Sequence, residues 1–158
     1  MALGGNRALA TPIAREYLGR VRDFYNVHTK RTGVFGRGYR SLLARYYRHL
    51  IPADASVLEI GCGRGGLLEL LPNRDVAGID LSEVRIAEAR KRVPHGSFHV
   101  MAGEELDLDR CFDCIILSDT VNEAADVQAM LAAALSVARP DTRLVLNFYN
   151  TLWKPLLG

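Results

Sequence analysis

The 158 residues are 49% hydrophobic and 24% charged with a net charge of +2, the balance of an ordinary globular chain long enough for one domain with a real core. No apolar run approaches the roughly 20 residues that cross a bilayer, and the first ten residues lack the apolar centre of a secretory signal. Three cysteines, an odd number without the spacing of a disulfide framework, point to a reducing cytoplasm.

Taken in chain order, residues 1–10 read as a leader, and Thr11-Pro12 offers a cap and first position for a helix carrying Tyr17, Leu18, Val21, Phe24 and Tyr25 at helical spacing. Residues 29–38 hold three glycines and read as a loop. From Tyr39 the apolar positions 39, 42, 43, 46, 47 and 50 predict an amphipathic helix, with Arg40, Arg45 and Arg48 off the stripe and Pro52 ending it. This first third is strongly basic: residues 1–50 hold ten Lys/Arg against two acids, +8, and the remainder is −6. Such a segment is read either as a solvated helix face or as an attractor for an anionic substrate, nucleic acid or a lipid surface.

Residues 56–60 predict a buried strand, followed by a glycine-rich turn (Gly61, Gly63, Gly65, Gly66) and a helix face at Leu67, Leu68, Leu70 and Leu71. A second strand is expected over 76–80, a helix capped by Ser82 through about Arg92, and a third strand over 97–101. A loop or helical turn follows over 103–109. The fourth strand spans 112–118, a helix 122–138, a turn Pro140-Asp141, and the fifth strand 143–149. Strands alternating with helices imply parallel pairing with helices on both faces.

In such a sheet, ligands sit beyond the carboxyl ends of the strands near the reversal of strand order. The glycine turn suits a nucleotide-like cofactor, because bare backbone lets a ligand come close. Asp80, ending the second strand, is placed to accept from both hydroxyls of a ribose. Gly61-Cys-Gly-Arg-Gly-Gly66 also fits the dinucleotide pattern, which keeps an NAD-dependent oxidoreductase in view. Glu59 speaks against it: a carboxylate just before the turn repels a pyrophosphate but suits a cofactor carrying an ammonium or sulfonium.

Three blocks, Val57-Leu-Glu-Ile-Gly-Cys-Gly-Arg-Gly, Gly78-Ile-Asp-Leu-Ser82 and Phe112-Asp-Cys-Ile-Ile-Leu-Ser-Asp119, together resemble the class I S-adenosylmethionine-dependent methyltransferases over about residues 54–150. The resemblance implies a three-layer Rossmann-like α/β domain over 53–158 with a helical N-terminal lid over 1–52. It also implies that the final hairpin of the usual seven-stranded sheet is missing, so the fifth strand is expected to need a further segment or a second copy along its edge. Glu59 with Gly61, Cys62, Gly63 and Gly65 would cradle the amino-acid end of S-adenosylmethionine. Asp80 would hold the ribose, Leu81 flank the adenine, Gly103, Glu104 and Glu105 border it, and Ser118 lie near the methionine moiety. Ala102 stands where the family often has an acid for the adenine amino group.

For the acceptor side, Asp119 is read as either a helix cap or a base, His28 as either a loop residue or a base, and Tyr149 as a residue ending the fifth strand; Glu123 is a further candidate. Ile116-Leu-Ser-Asp-Thr and Leu146-Asn-Phe-Tyr-Asn are similar to methyltransferases of bacterial envelope sugar or lipid pathways, which with the basic segment implies an anionic small-molecule or lipid-linked sugar acceptor. A non-catalytic cofactor- or partner-binding module is the alternative. Tyr39, Tyr46 and Tyr47 read as core rather than as a nucleic-acid platform. Cys111-Phe-Asp-Cys114 lacks a second pair or nearby histidine, so no metal is expected.

Overall fold

A computed structural model describes residues 11–27 and 34–148. Two helices, α1 (Pro12–Val27) and α2 (Val34–Leu50), precede five strands: β1 (Val57–Ile60), β2 (Val76–Asp80), β3 (Ser97–Val100), β4 (Phe112–Ser118) and β5 (Ala138–Asn147). Helices α3 (Glu83–Arg92) and α4 (Val127–Ser136) follow β2 and precede β5. All pairings are parallel, in the order β3-β2-β1-β4-β5.

Side chains alternate across the sheet, so the apolar strands are covered twice. Val57, Val76, Cys114 and Ile116 face α2 and α3, packing with Ala44, Tyr47, Ile51, Ile86 and Ala89. Leu58, Ile60, Ile79, Ile115 and Leu117 face α4, packing with Met130, Ala134 and Val137. This is the expected three-layer Rossmann-like arrangement. Among the described residues β5 is an edge strand, and its Leu144, Leu146 and the following Phe148 are exposed.

Four local expectations are corrected. The run after the glycine turn makes only a 3-10 turn, Leu68–Leu70, because Pro72 follows at once and leaves no length for a helix. Helix α2 starts at Val34, carrying Gly36 and Gly38 inside it, because its packing outweighs the roughly 1 kcal/mol that each glycine costs. Helix α4 starts at Val127 with Asp126 as its cap, whose Oδ1 accepts from Ala129 N at 2.9 Å. The amides of Ala125 and Asp126 are instead bound by Glu104, at 2.8 and 3.4 Å. Finally, Pro140-Asp141 is not a turn before β5 but an irregularity inside it. Thr142 Oγ1 accepts from Arg139 N (2.7 Å) and donates to Phe112 O (2.6 Å), holding the strand where proline has no N–H to give.

The inward face of α2 also differs from the expected stripe. Leu43, Ala44 and Tyr47 of α2, with Ile51 just after it, meet the core, whereas Leu42, Tyr46 and Leu50 are exposed. Arg40, three residues before Leu43 and four before Ala44, therefore lies on the inward side.

Candidate active site

The strand order reverses between β1 and β4, and a cavity of about 290 Å³ opens there at the carboxyl ends of the strands. Its floor is Glu59, the turn over residues 61–64, Asp80, Leu81, Gly103, Glu104 and residues 118–120. Leu18, Val21 and Tyr25 of α1, with Tyr39, Arg40 and Leu43 of α2, wall it from above. Helix α1 is tied to the start of α3: Ser82 Oγ donates to Asn26 Oδ1 (2.7 Å), and the Arg85 guanidinium lies 3.5 Å from the centre of the Tyr25 ring.

Glu59 is the penultimate residue of β1 and only 3% exposed, and its Oε2 is buried without a hydrogen-bond partner. A buried, unsatisfied carboxyl oxygen is costly. Burial pushes the Glu59 carboxyl up to about 8, against the pull of Arg40 and with smaller upward pushes from Asp80 and Asp119.

Asp80 ends β2 and spreads its two oxygens over two backbone amides. Oδ1 accepts from Ser82 N and Oδ2 from Gly63 N, both at 2.9 Å. Burial raises its carboxyl above the usual range, and these two amides pull it back. Each oxygen keeps a lone pair for a further donor. Gly63 has φ +53, and an added Cβ would meet nothing within 4 Å, so at this point the turn opens on bare space beside the cavity.

On the β4 side, Asp119 stands at φ +58, a left-handed conformation that strains a residue with a side chain. It is held there by Tyr39 OH and Asn147 Nδ2, which donate to its Oδ1 at 3.1 and 2.7 Å. Tyr47 OH donates to Asn147 Oδ1, so two tyrosines of α2 clasp the ends of β4 and β5. Burial raises the Asp119 carboxyl, opposed by those two donors, and pushes the Tyr47 phenol up to about 12.

Of the residues expected from sequence, Glu59, Gly61, Cys62, Gly63, Asp80, Leu81, Gly103, Glu104, Ser118 and Asp119 all line this cavity. Gly65 and Glu105 do not: Gly65 packs against Ala89, and Glu105 is exposed. Glu104 lines the cavity but spends Oε1 on the amides before α4, and Gly103 is small because Ile60 and Met130 crowd it. Asp119 does not cap α4; Asp126 does. His28 and Tyr149 lie outside the described residues. Arg40, Tyr39 and Thr120 were not singled out as site residues, and all three line the cavity. Thr120 donates to Ile60 O (2.9 Å) and Ser118 O (3.1 Å), locking the β1 turn to the end of β4.

A family model described as a methyltransferase domain matches residues 57–141, the span that builds the floor of this cavity. The chain belongs to the methyltransferase-domain family. It is 30% identical over 136 residues to the malonyl-[acyl-carrier protein] O-methyltransferase of Priestia megaterium, covering 80% of this chain and 50% of that one. It is 29% identical over 125 residues to the dTDP-3-amino-3,4,6-trideoxy-alpha-D-glucopyranose N,N-dimethyltransferase of Streptomyces venezuelae, covering 77% and 48%. The chain thus spans about half the length of these curated relatives. Among solved structures, the magnesium protoporphyrin IX methyltransferase of Synechocystis with bound SAH shares its fold with a TM-score of 0.70 at 21% identity, covering 89% of this chain and 76% of that one. DesVI of Streptomyces venezuelae superposes with a TM-score of 0.57 at 26% identity, covering 85% and 55%.

Proposed function

We propose that the cavity binds S-adenosylmethionine and that the methyl group passes to a small-molecule acceptor, of the anionic or sugar-linked kind. The observation that carries this reading is the buried, unpartnered Oε2 of Glu59, an acceptor placed where a cofactor ammonium would meet it, with the open cradle of Gly63 and the carboxylate of Asp80 alongside. Glu59 and the turn would hold the amino-acid end, Asp80 the ribose hydroxyls, and Leu81 and Gly103 the adenine. Bound, the cofactor supplies an electrophilic methyl on a sulfonium.

The chain's own part is positioning and proton handling. Helix α1 and helix α2 shield the cavity from water. Asp119, fixed in its strained conformation by Tyr39 and Asn147, orients a hydroxyl or amine of the acceptor and takes its proton. The names of the relatives, an O-methyltransferase and an amino-sugar N,N-dimethyltransferase, support an oxygen or nitrogen nucleophile. Free cysteines at 62, 111 and 114 support a cytoplasmic setting. NAD fits poorly, because the glycine turn is followed by no α-helix whose N-terminus would hold a pyrophosphate, and because Glu59 adds a carboxyl there.

Calorimetry with S-adenosylmethionine, S-adenosylhomocysteine and NAD tests the reading. Binding of the two sulfur compounds with no response to NAD is expected, and tight NAD binding alone would overturn it. Binding without transfer to any acceptor offered would leave a cofactor-binding module. Asp80→Ala is expected to weaken S-adenosylhomocysteine by about 1–2 kcal/mol, the scale of hydrogen bonds lost from a charged acceptor. Unchanged affinity would place the ribose elsewhere.

A further inference from the structure

Helix α2 has a second apolar row that none of the described residues covers. Leu42, Tyr46 and Leu50 are 47%, 63% and 48% exposed. They recur every four residues, so they form one line about 12 Å long, outward of Leu43, Ala44 and Tyr47. The adjacent row, one residue earlier at each step, is Ser41, Arg45 and His49, all exposed. Large apolar side chains in line, rimmed by polar ones, mark a docking surface rather than a solvated helix face. Charge says what docks there. No acid occurs between Asp23 and Asp54, a stretch that holds Lys30, Arg31, Arg37, Arg40, Arg45 and Arg48. Among the described residues no carboxylate pairs with Arg45. At the end of the row the exposed Arg143 donates to Leu50 O at 3.2 Å, and Arg48 donates to Leu70 O at 2.7 Å. Both guanidiniums are thus fixed beside the row by carbonyls, which leave their charge in place. Helix α1 also exposes Ile13, Phe24 and Val27, but it carries Glu16 and Asp23 and so lacks this one-signed charge.

A second copy of the chain fits this face badly: two such rows laid together bring the Arg45 side chains, near the centre of each, against one another with no acid on either helix. A nucleic-acid backbone would meet the arginines but give Leu42 and Leu50 no apolar contact. An anionic lipid surface satisfies both rows. The acyl boundary takes the two leucines and the Tyr46 ring, the Tyr46 hydroxyl stays at headgroup level, and lipid phosphates pair with the guanidiniums. We propose that the outer face of α2 docks on an anionic lipid surface. The same helix gives Tyr39, Arg40 and Leu43 to the wall of the cavity, so docking ties that wall to the lipid. The docking does not depend on what the cavity binds.

Sedimentation of the whole chain with vesicles tests this. Vesicles of phosphatidylcholine with about one-third phosphatidylglycerol are expected to bind it at least about tenfold more tightly than phosphatidylcholine alone, and salt at about 0.5 M should remove most of that difference. Leu42→Gln combined with Leu50→Gln should weaken binding to the anionic vesicles by about tenfold, and Arg45→Glu by a similar factor. Leu135→Gln, at an exposed apolar position on α4, should leave it within about twofold. All of these positions are exposed, so thermal melts of the variants should match the wild type, which separates lost docking from lost folding. No binding to the anionic vesicles, equal binding to both kinds, or a loss with Leu135→Gln as large as with the α2 variants would overturn the proposal. So would a lipid-free dimer that Leu42→Gln with Leu50→Gln dissolves, which would give the face to a second copy. Capture of a duplex oligonucleotide that is lost in Arg45→Glu and kept in the leucine variant, with no vesicle binding, would give it to nucleic acid instead.

Discussion

At pH 7.5, Glu59→Gln is expected to be more stable than the wild type and to bind S-adenosylhomocysteine more weakly. The stability effect follows from linkage. The Glu59 carboxyl is pushed up to about 8 in the fold, chiefly by burial, from an ordinary value of 4.5. A carboxyl raised in this way contributes stability that is complete below about 4.5 and is lost as pH rises through about 8. Between those values the unfolded chain ionises and the folded one does not, so wild-type stability falls by about 1.4 kcal/mol per pH unit from this group. Glutamine does not titrate, so the variant gains on the wild type by about 2–4 kcal/mol near neutrality and little at pH 4. Denaturant melts at pH 4, 6 and 7.5 measure the difference. Parallel curves for the two proteins across that range would remove the premise. Affinity moves the other way, by about tenfold or more, because the carboxyl can ionise against a bound ammonium and the amide cannot. Stability gained at the expense of binding is what a residue kept for its ligand shows.

Gly61→Ala is expected to destabilise the fold, and Gly63→Ala to impair binding, although the two sites are two residues apart and both have positive φ. At Gly61 (φ +75) an added Cβ would lie 2.6 Å from Thr120 Cγ2 and 3.0 Å from Thr120 Cβ. Thr120 cannot swing clear without giving up its hydrogen bonds to Ile60 O and Ser118 O. Backbone strain and overpacking together cost about 2–4 kcal/mol, lowering Tm by about 5–15 °C for a chain of this size. Thr120→Ala in the same chain should recover part of that loss by removing the atoms that clash. At Gly63 an added Cβ meets nothing within 4 Å, so only the backbone strain remains, about 1 kcal/mol. The new methyl there fills the cradle beside the cavity, and S-adenosylhomocysteine affinity should fall by more than stability does. Equal thermal losses for the two variants would show that the space beside Gly63 is not open.

The floor of the site was legible because it is local. Glu59, residues 61–63, Asp80 and Ser118 each sit at the end of a strand or in the turn after it, and parallel strands deliver all such ends to one edge of the sheet. Strand β4 was readable to the residue because its apolar run is covered on both faces. The turn after β1 was overread: Leu67, Leu68 and Leu71 are buried as their apolarity suggests, but burial does not require a helix.

Local pattern thus determined a parallel Rossmann-like sheet and the half of the site that strand ends supply, since alternation, glycine turns and caps act over a few residues. The roof was settled by packing. In α2 the adjacent pairs Leu42-Leu43 and Tyr46-Tyr47 support two apolar stripes about 100° apart, and nothing in the helix itself chooses between them. Contact with the sheet turned Leu43, Ala44, Tyr47 and Ile51 inward and carried Arg40 with them. In the same way Tyr39, Asp119, Asn147 and Tyr47, from three separate elements, became one hydrogen-bonded cluster only when α2 closed on β4 and β5. Side chains so far apart in the chain carry no shared periodicity, so their meeting is a property of the folded layers.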